Sequence, residues 1–448
     1  MDEMDDLNIE KYNTRENTLT TPNPTIIAMG VGGGGSNAVS YMHTQGVKGV
    51  DFVVLNTDQQ ALLASPVPNR ILLGPNTTLG LGAGGQPEVG QAAAEESVPE
   101  IERMLDNNVK MVFVTAGMGG GTGTGGAPVV AGVAKKKGIL TVGIVTIPFF
   151  FEGITKLNSA LDGANRLQEN VDALLLINND RLGEIYPDME WAAAFTKADD
   201  VLAVAARTIS DMVTSLASIN IDMNDVDSCL RGGRTAMISV GYGEGENRMA
   251  KAIAEALHSP LLCDTNISSA RRLLFAFYYS HDINPPFKVT EAMQANQLVS
   301  QVNRSVKIKF GWGYDDSLGD KIKFTILAAG FDVAVETNKE TVAVIEGNNQ
   351  TAENEEASIN SRIIAAYGKD KVDEFTRGQE TQNYYILTPE QLDSDTAIEM
   401  VERDPAYKRD KRKSDAARRA EKTAAVNNNQ PTSSSSFGNI TFSRDDRF

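Results

Sequence analysis

Long apolar runs are missing from this 448-residue sequence. None approaches the roughly 20 consecutive residues that span a bilayer, and the opening MDEMDDLNIEKYNTREN is acidic and polar, unlike a secretory signal. A chain lacking both is expected to be cytoplasmic, with no direct membrane insertion. Cysteine is scarce as well: Cys229 and Cys263 are the only two. They allow no disulfide framework and no zinc spacing, and their apolar neighbours suit small core residues. Positive charge is in deficit, the formal net charge being −17, which sets the body of the protein against nucleic acid and anionic membranes. Other proteins and small ligands remain as partners. Neither GxxxxGKS nor GxxxxGKT occurs anywhere, so the ordinary P-loop class has no support.

What the sequence has is enough chain for two or three domains, each with its own core. TIIAMGV, DFVVLN, KMVFVTAG, GILTVGIVTI and DALLLIN are continuous apolar runs separated by Gly-rich turns and helical patterns. Such runs suit parallel strands covered on both faces. The expected fold is therefore α/β: a parallel-sheet domain over 25–190 follows a disordered leader at 1–24. The Ala-rich stretch at 191–217, free of Gly and Pro, reads as one long central helix. It leads to a smaller α+β domain over 218–335. A polar linker is expected at 336–383, a partner-binding segment at 384–413 and a disordered tail at 414–448.

Two glycine clusters carry the chemistry. GVGGGGSN, Gly30 to Asn37, follows a strand and opens a helix. Backbone N–H groups at such a helix start favour phosphate, and glycines let it approach without a Cβ in the way. Alone, this pattern also suits tight strand-to-helix packing, or a dinucleotide site with Asp51 or Asp58 on the ribose. GMGGGTGTGGAP, Gly117 to Pro128, repeats the arrangement after KMVFVTA. Two anion-binding loops at the ends of parallel strands favour a phosphate ligand, since plain packing explains so many glycines poorly.

GGGTGTG, Gly119 to Gly125, is also the signature of the tubulin/FtsZ superfamily, which the sequence resembles over about residues 25–335. NTDQQAL from Asn56, LGAGGQPEVG from Leu81, PFFFEG from Pro148, INND from Ile177 and the segment around Asn220 occur in that family's order. The resemblance implies a GTPase using GTP/GDP, with Mg²⁺ on the phosphates and no metal-ligating side chain assigned. By it, Gly33, Gly34, Gly35, Ser36 and Asn37 hold phosphate together with Gly120, Gly121, Thr122, Gly123 and Thr124. Ala83, Gly84 and Gly85 lie near the γ-phosphate, and Asn56 and Pro148, which open matching loops, also bind the nucleotide. Glu152 meets the ribose. Lys156 stands where arginine is usual, keeping charge without the bidentate fork. A carboxylate can accept from both N1–H and the 2-amino group of guanine, which adenine cannot match. Asp199 matches the residue in that role, with Asn179 as its companion and Phe195 as an apolar wall; otherwise Asp199 reads as a solvated helix carboxylate.

The first domain offers no obvious group to orient a hydrolytic water. Asn220, Asp222 and Asp225, in SINIDMNDVDSCL after the long helix, match the family's NxDxxD loop. The resemblance implies that they reach the nucleotide of the next subunit, so that the active site forms as subunits stack head to tail. Such heterologous contacts generate filaments. Without the family context, the same residues read as an N-cap and turn. RRLLFAFYYSHDINPPF departs from the family's glycine-containing turn in the second domain. DPAYKR from Asp404, within 400–413, is similar to the family's peptide for membrane-tethering and division proteins, although 39 residues follow it. The implied setting is the inner face of the membrane at the division site.

Overall fold

The computed structural model describes residues 26–105, 108–214, 217–219, 221–257, 267–295, 306–331 and 361–372. Its strands are β1 Ile26–Val31, β2 Asp51–Asn56, β3 Asn69–Leu72, β4 Met111–Gly117, β5 Leu140–Ile147, β6 Ala173–Asn178, β7 Ala217–Ile219, β8 Arg234–Gly243, β9 Arg272–Tyr279, β10 Lys307–Tyr314 and β11 Ile322–Ala329. They form one 11-stranded sheet in the order β3-β2-β1-β4-β5-β6-β8-β11-β9-β10-β7. From β3 to β6 every pairing is parallel. Every residue of β1, β2 and β5 is buried, which is why these strands read as unbroken apolar runs rather than alternating ones.

The two halves expected to be joined by a helix are also joined through the sheet. β6 pairs with β8 in parallel at Ala173↔Arg234 and Leu174↔Thr235. Beyond that point the pairing becomes mixed: β11 is antiparallel to β8 and β9, and β10 is parallel to β9. The central helix, Trp191–Thr214, buries Ala198, Val201, Leu202, Ala205, Ile209 and Met212 at the three- and four-residue spacing of an amphipathic face. Its 24 residues rise about 36 Å. It ends at Thr214 rather than 217, because Ala217–Ile219 is extended and pairs with β10 as β7.

The linker expected at 336–383 is not structureless throughout. Residues 361–367 are helical, with Ile363 and Tyr367 buried. The Tyr367 hydroxyl donates to the Pro148 carbonyl at 2.8 Å, Asn178 Nδ2 donates to the Ala366 carbonyl at 2.9 Å, and Arg362 pairs with Asp162 at 2.6 Å. Polar residues on both sides dilute this short apolar face, so it leaves no clear period in the sequence. The leader, the segment at 384–413, the tail, Asn220 and Cys263 lie outside the described residues. Cys229 is buried, and burial pushes its thiol up to about 12. Among the described residues no helix is long and apolar enough to cross a membrane.

Candidate functional site

After β1 the chain builds outward to β2 and β3, then returns to lay β4, β5 and β6 on the other side of β1. The β1/β4 boundary is therefore a topological switch point, where open α/β sheets place ligands at the carboxyl ends of the strands. Both glycine clusters leave from those two strands. One runs into the helix Gly32–Thr44 and the other into the helix Thr122–Lys136. Neither helix has a side-chain cap at its start, so the first-turn N–H groups remain as donors for an anion.

The glycines divide into two kinds. A Cβ on Gly35 would stand 2.2 Å from the Thr115 carbonyl oxygen, one on Gly123 2.6 Å from that of Gly117, and one on Gly125 1.8 Å from that of Pro87. These positions are glycine because backbone packs on backbone. Around Gly33, Gly84, Gly85 and Gly120 a Cβ would meet nothing within 4 Å. These four border open space, as a cradle for a ligand requires. Sequence reasoning underrated packing: of the twelve glycines in the two clusters, only Gly33 and Gly120 would carry a Cβ with nothing within 4 Å.

The loops converge. A Cβ on Gly34 would lie 3.3 Å from the Gly117 Cα, and one on Gly121 2.8 Å from Ala83 Cβ. Thr57, beside buried Asn56, shares a 2.6 Å hydrogen bond with Thr122. Thr124 Oγ1 accepts from the Gly119 N–H at 2.8 Å. Asn37 is exposed beside Ser36, whose Oγ is buried without a hydrogen-bond partner. Buried polar atoms are seldom left unmatched, and a phosphate oxygen would satisfy this one.

A second group lies beside the second glycine loop. A Cβ on Gly119 would meet Lys156 Cγ at 2.9 Å and Pro148 Cγ at 3.3 Å. Glu152 accepts from the Phe149 N–H at 2.9 Å and pairs with Lys156, so Lys156 reaches the expected ribose residue rather than standing alone. The Phe149 ring meets Phe195 edge to face at 5.4 Å, which brings the first turns of the central helix to this loop. Phe195 is 42% exposed, and the Oδ1 of buried Asn179 has no hydrogen-bond partner. Asp199 and Asp200 are adjacent yet unlike. Asp200 is held by Lys197 at 2.7 Å and by the Tyr41 hydroxyl at 3.3 Å. No described side chain pairs with Asp199, and burial raises its carboxyl to about 7. It is a desolvated acceptor with open valence, not a solvated helix carboxylate.

The candidate catalytic carboxylates are not in this group. Asp222 and Asp225 open the helix Met223–Leu230 at the opposite edge of the sheet. Arg231, ending that helix, reaches the Gly138 carbonyl just before β5 and Asp172 just before β6. The far end of the central helix lies there too: Ser210 Oγ donates to the Lys48 carbonyl, ahead of β2. Glycine loops at the carboxyl edge and carboxylates at the amino edge are separated by the length of the strands, about 23 Å for the seven residues of β4. Asp222 Oδ1 accepts from the Asp225 N–H at 2.9 Å, and Asp225 Oδ2 from the Asp222 N–H at 3.4 Å. The capping role is therefore real, whatever else the pair does.

Residues 25–187 match the Tubulin/FtsZ family GTPase domain, 234–332 the FtsZ family C-terminal domain, and 379–423 a further FtsZ C-terminal segment. The cell division protein FtsZ of Porphyromonas gingivalis is 44% identical over 398 residues, covering 86% of each chain. The chain belongs to the FtsZ family. An FtsZ dimer from M. jannaschii superposes with a TM-score of 0.63 at 37% identity, covering 70% of this chain and 89% of that one. CetZ2 from Haloferax volcanii, a GTPγS-bound protofilament, shares the fold at a TM-score of 0.59 and 20% identity, covering 78% and 99%.

Membership makes the chain a GTPase that binds guanine nucleotide and a homologue of a cell division protein. Within this FtsZ-family frame, three side chains at the two edges escaped sequence reasoning. Thr57 joins the first sheet loops to the second glycine loop. Asp180 accepts from the Phe150 N–H at 2.8 Å and so steadies the loop that carries Glu152. Lys309 pairs with Asp225 at 2.9 Å. The first two sit inside recognised motifs; the third, on β10, carries no local signal at all.

Proposed function

We propose that this chain hydrolyses GTP between subunits of a head-to-tail filament and thereby builds the division ring at the inner face of the membrane. One observation supports this most: the phosphate cradle and the acidic loop occupy opposite edges of the same sheet, so one subunit cannot bring its own carboxylates to its own cradle. In a stack, the amino edge of one subunit meets the carboxyl edge of the next. The M. jannaschii FtsZ dimer and the GTPγS-bound CetZ2 protofilament are in keeping with such an assembly.

In this reading the glycine loops, with Ser36 and Thr122, hold the phosphates. Ala83 to Gly85 border the γ-phosphate, Glu152 meets the ribose with Lys156 beside it, and Asp199 with Asn179 reads the guanine against Phe195. The Asn179 and Ser36 oxygens that lack partners suit a nucleotide. Asn220, Asp222 and Asp225 of the adjacent subunit orient the attacking water. The open glycine positions leave room for phosphates that carry Mg²⁺, which would spread the charge developing on them. Residues 400–413 recruit membrane-tethering and division proteins, and the chain acts in the cytoplasm. Hydrolysis loosens the subunit contact.

The capping box favours a second reading, in which Asp222 and Asp225 only stabilise their helix and hydrolysis is completed within one subunit. Phosphate release with GTP and Mg²⁺, followed with light scattering across protein concentration, separates the two. Shared sites predict specific activity that rises with concentration and scattering that appears only with GTP. Activity per molecule independent of concentration overturns the interface mechanism.

A further inference from the structure

We propose that Lys309 is a positioning residue for hydrolysis, holding Asp225 and screening the acidic loop as it meets the neighbouring subunit's polyphosphate. The proposal rests on the assignment of Asp222 and Asp225 to that step.

Lys309 Nζ lies 2.9 Å from Asp225 Oδ1, while Asp225 Oδ2 accepts from the Asp222 N–H. Both oxygens of Asp225 are thereby fixed, one by the helix cap and one by a cation from a distant strand. The ammonium is held in its charged form by Asp225 first and by Asp222 as well, so one positive charge serves both acids. Its reach is set by the sheet. Side chains two apart on a strand share a face, which places Lys309 and Gly311 on the same side of β10. Gly311 has no side chain for a reason: a Cβ there would stand 2.8 Å from Ile221 Cγ1 and 2.9 Å from the Ile219 carbonyl oxygen. Ile221 immediately precedes Asp222, so the acidic loop is seated directly on the strand face that carries Lys309. The Trp312↔Ile219 register of β10 with β7 holds the two together.

Stability does not account for this lysine. Its side chain is 65% exposed, and an exposed pair contributes little in water. Assembly changes the setting. Two aspartates brought against a triphosphate face like-charge repulsion, which disfavours association and turns carboxylates away. Lys309 reduces the loop's two negative charges to a net of one and keeps Asp225 aimed while water is excluded, where charge pairs act more strongly.

The test compares the full-length chain with Lys309→Gln, Lys309→Arg and Asp225→Asn. Phosphate release is measured per sedimented subunit, alongside GTP affinity below the assembly threshold and thermal unfolding. Lys309→Gln is expected to lower turnover per polymerised subunit by about ten- to a hundredfold, as misplacement of a catalytic group does. GTP affinity and unfolding temperature stay unchanged, and Lys309→Arg recovers most of the loss. Wild-type turnover in Lys309→Gln with Asp225→Asn inactive overturns the role of Lys309 alone. Full turnover in Asp225→Asn overturns the assignment beneath it. A loss in total phosphate release that disappears per sedimented subunit makes Lys309 an assembly contact and overturns positioning.

Discussion

The two edges of the sheet differ in how far their polar groups are already satisfied. At the carboxyl edge, among the described residues, Ser36 Oγ and Asn179 Oδ1 are buried without hydrogen-bond partners, Asp199 is desolvated and unpaired, and two helix starts have no side-chain cap. At the amino edge, Asp222 and Asp225 cap each other's backbone and Asp225 holds a lysine. An edge with unmatched groups is built for a small ligand that matches them. An edge whose groups are already matched loses little when no partner is present, so it stays intact in an isolated subunit, as the proposed interface mechanism requires. In the proposed mechanism, placing donors and acids at opposite poles of one sheet separates nucleotide binding from its hydrolysis.

The sharpest way to break this comparison is to remove an acid. Asp225→Ala is expected to reduce GTP turnover on the order of a thousandfold while GTP binding persists, the scale of a lost acid–base or orienting group. Helix capping alone predicts only about 1 kcal/mol of lost stability and normal turnover. Phosphate release and a nucleotide-binding titration on one preparation distinguish the two.

A smaller effect tests the two kinds of glycine. Gly125→Ala forces a Cβ to within 1.8 Å of the Pro87 carbonyl oxygen, and overpacking of this kind destabilises by about 2 kcal/mol. Gly120→Ala meets no atom within 4 Å, so it is expected to leave thermal unfolding unchanged and weaken GTP binding. Equal melting temperatures for the two variants would remove the distinction between packed and open positions.

The smallest effect is a pH dependence at Asp199. With the free carboxyl raised to about 7 by burial, the proposed guanine contact of Asp199 requires loss of a proton, so GTP affinity is expected to fall as pH drops below about 7. Between pH 8 and pH 6 the fall is about tenfold. The same group favours the folded state at acid pH, and that contribution is lost as pH rises from the ordinary carboxylate range to about 7. Asp199→Asn is expected to weaken GTP binding and abolish its slope with pH. A slope that survives the substitution belongs to another group.

Much of the fold is legible in the sequence for a physical reason. Strands buried on both faces of a parallel sheet have no polar side to show, so β1, β2, β4 and β5 stand out as apolar runs. The central helix, lacking Gly and Pro, shows its face by spacing alone. The site is legible in part. Motif order leads to Asp199 and Asn179; Lys197, three residues earlier on the same helix, marks Asp200 as paired, but its second partner Tyr41 comes from another helix and the burial of Asp199 leaves no local sign. Gly125 and Gly120 look alike as letters; only the approach of the Pro87 backbone separates them. The helical residues at 361–367 escaped because Tyr367 acquires its meaning from contact with the loop at Pro148 and Phe150, far away in the sequence.

By itself, then, the sequence determined the parallel α/β core, the two glycine-rich loops, the long helix and the order of the family's motifs. These arise from interactions among near neighbours in the chain: burial pattern, helix propensity and backbone conformation. Tertiary structure alone decided which glycines are packed and which are open, which of two adjacent aspartates is desolvated, and which lysine meets the acidic loop. Each of those depends on what a distant segment brings into van der Waals or hydrogen-bond range, and both forces vanish within a few ångströms.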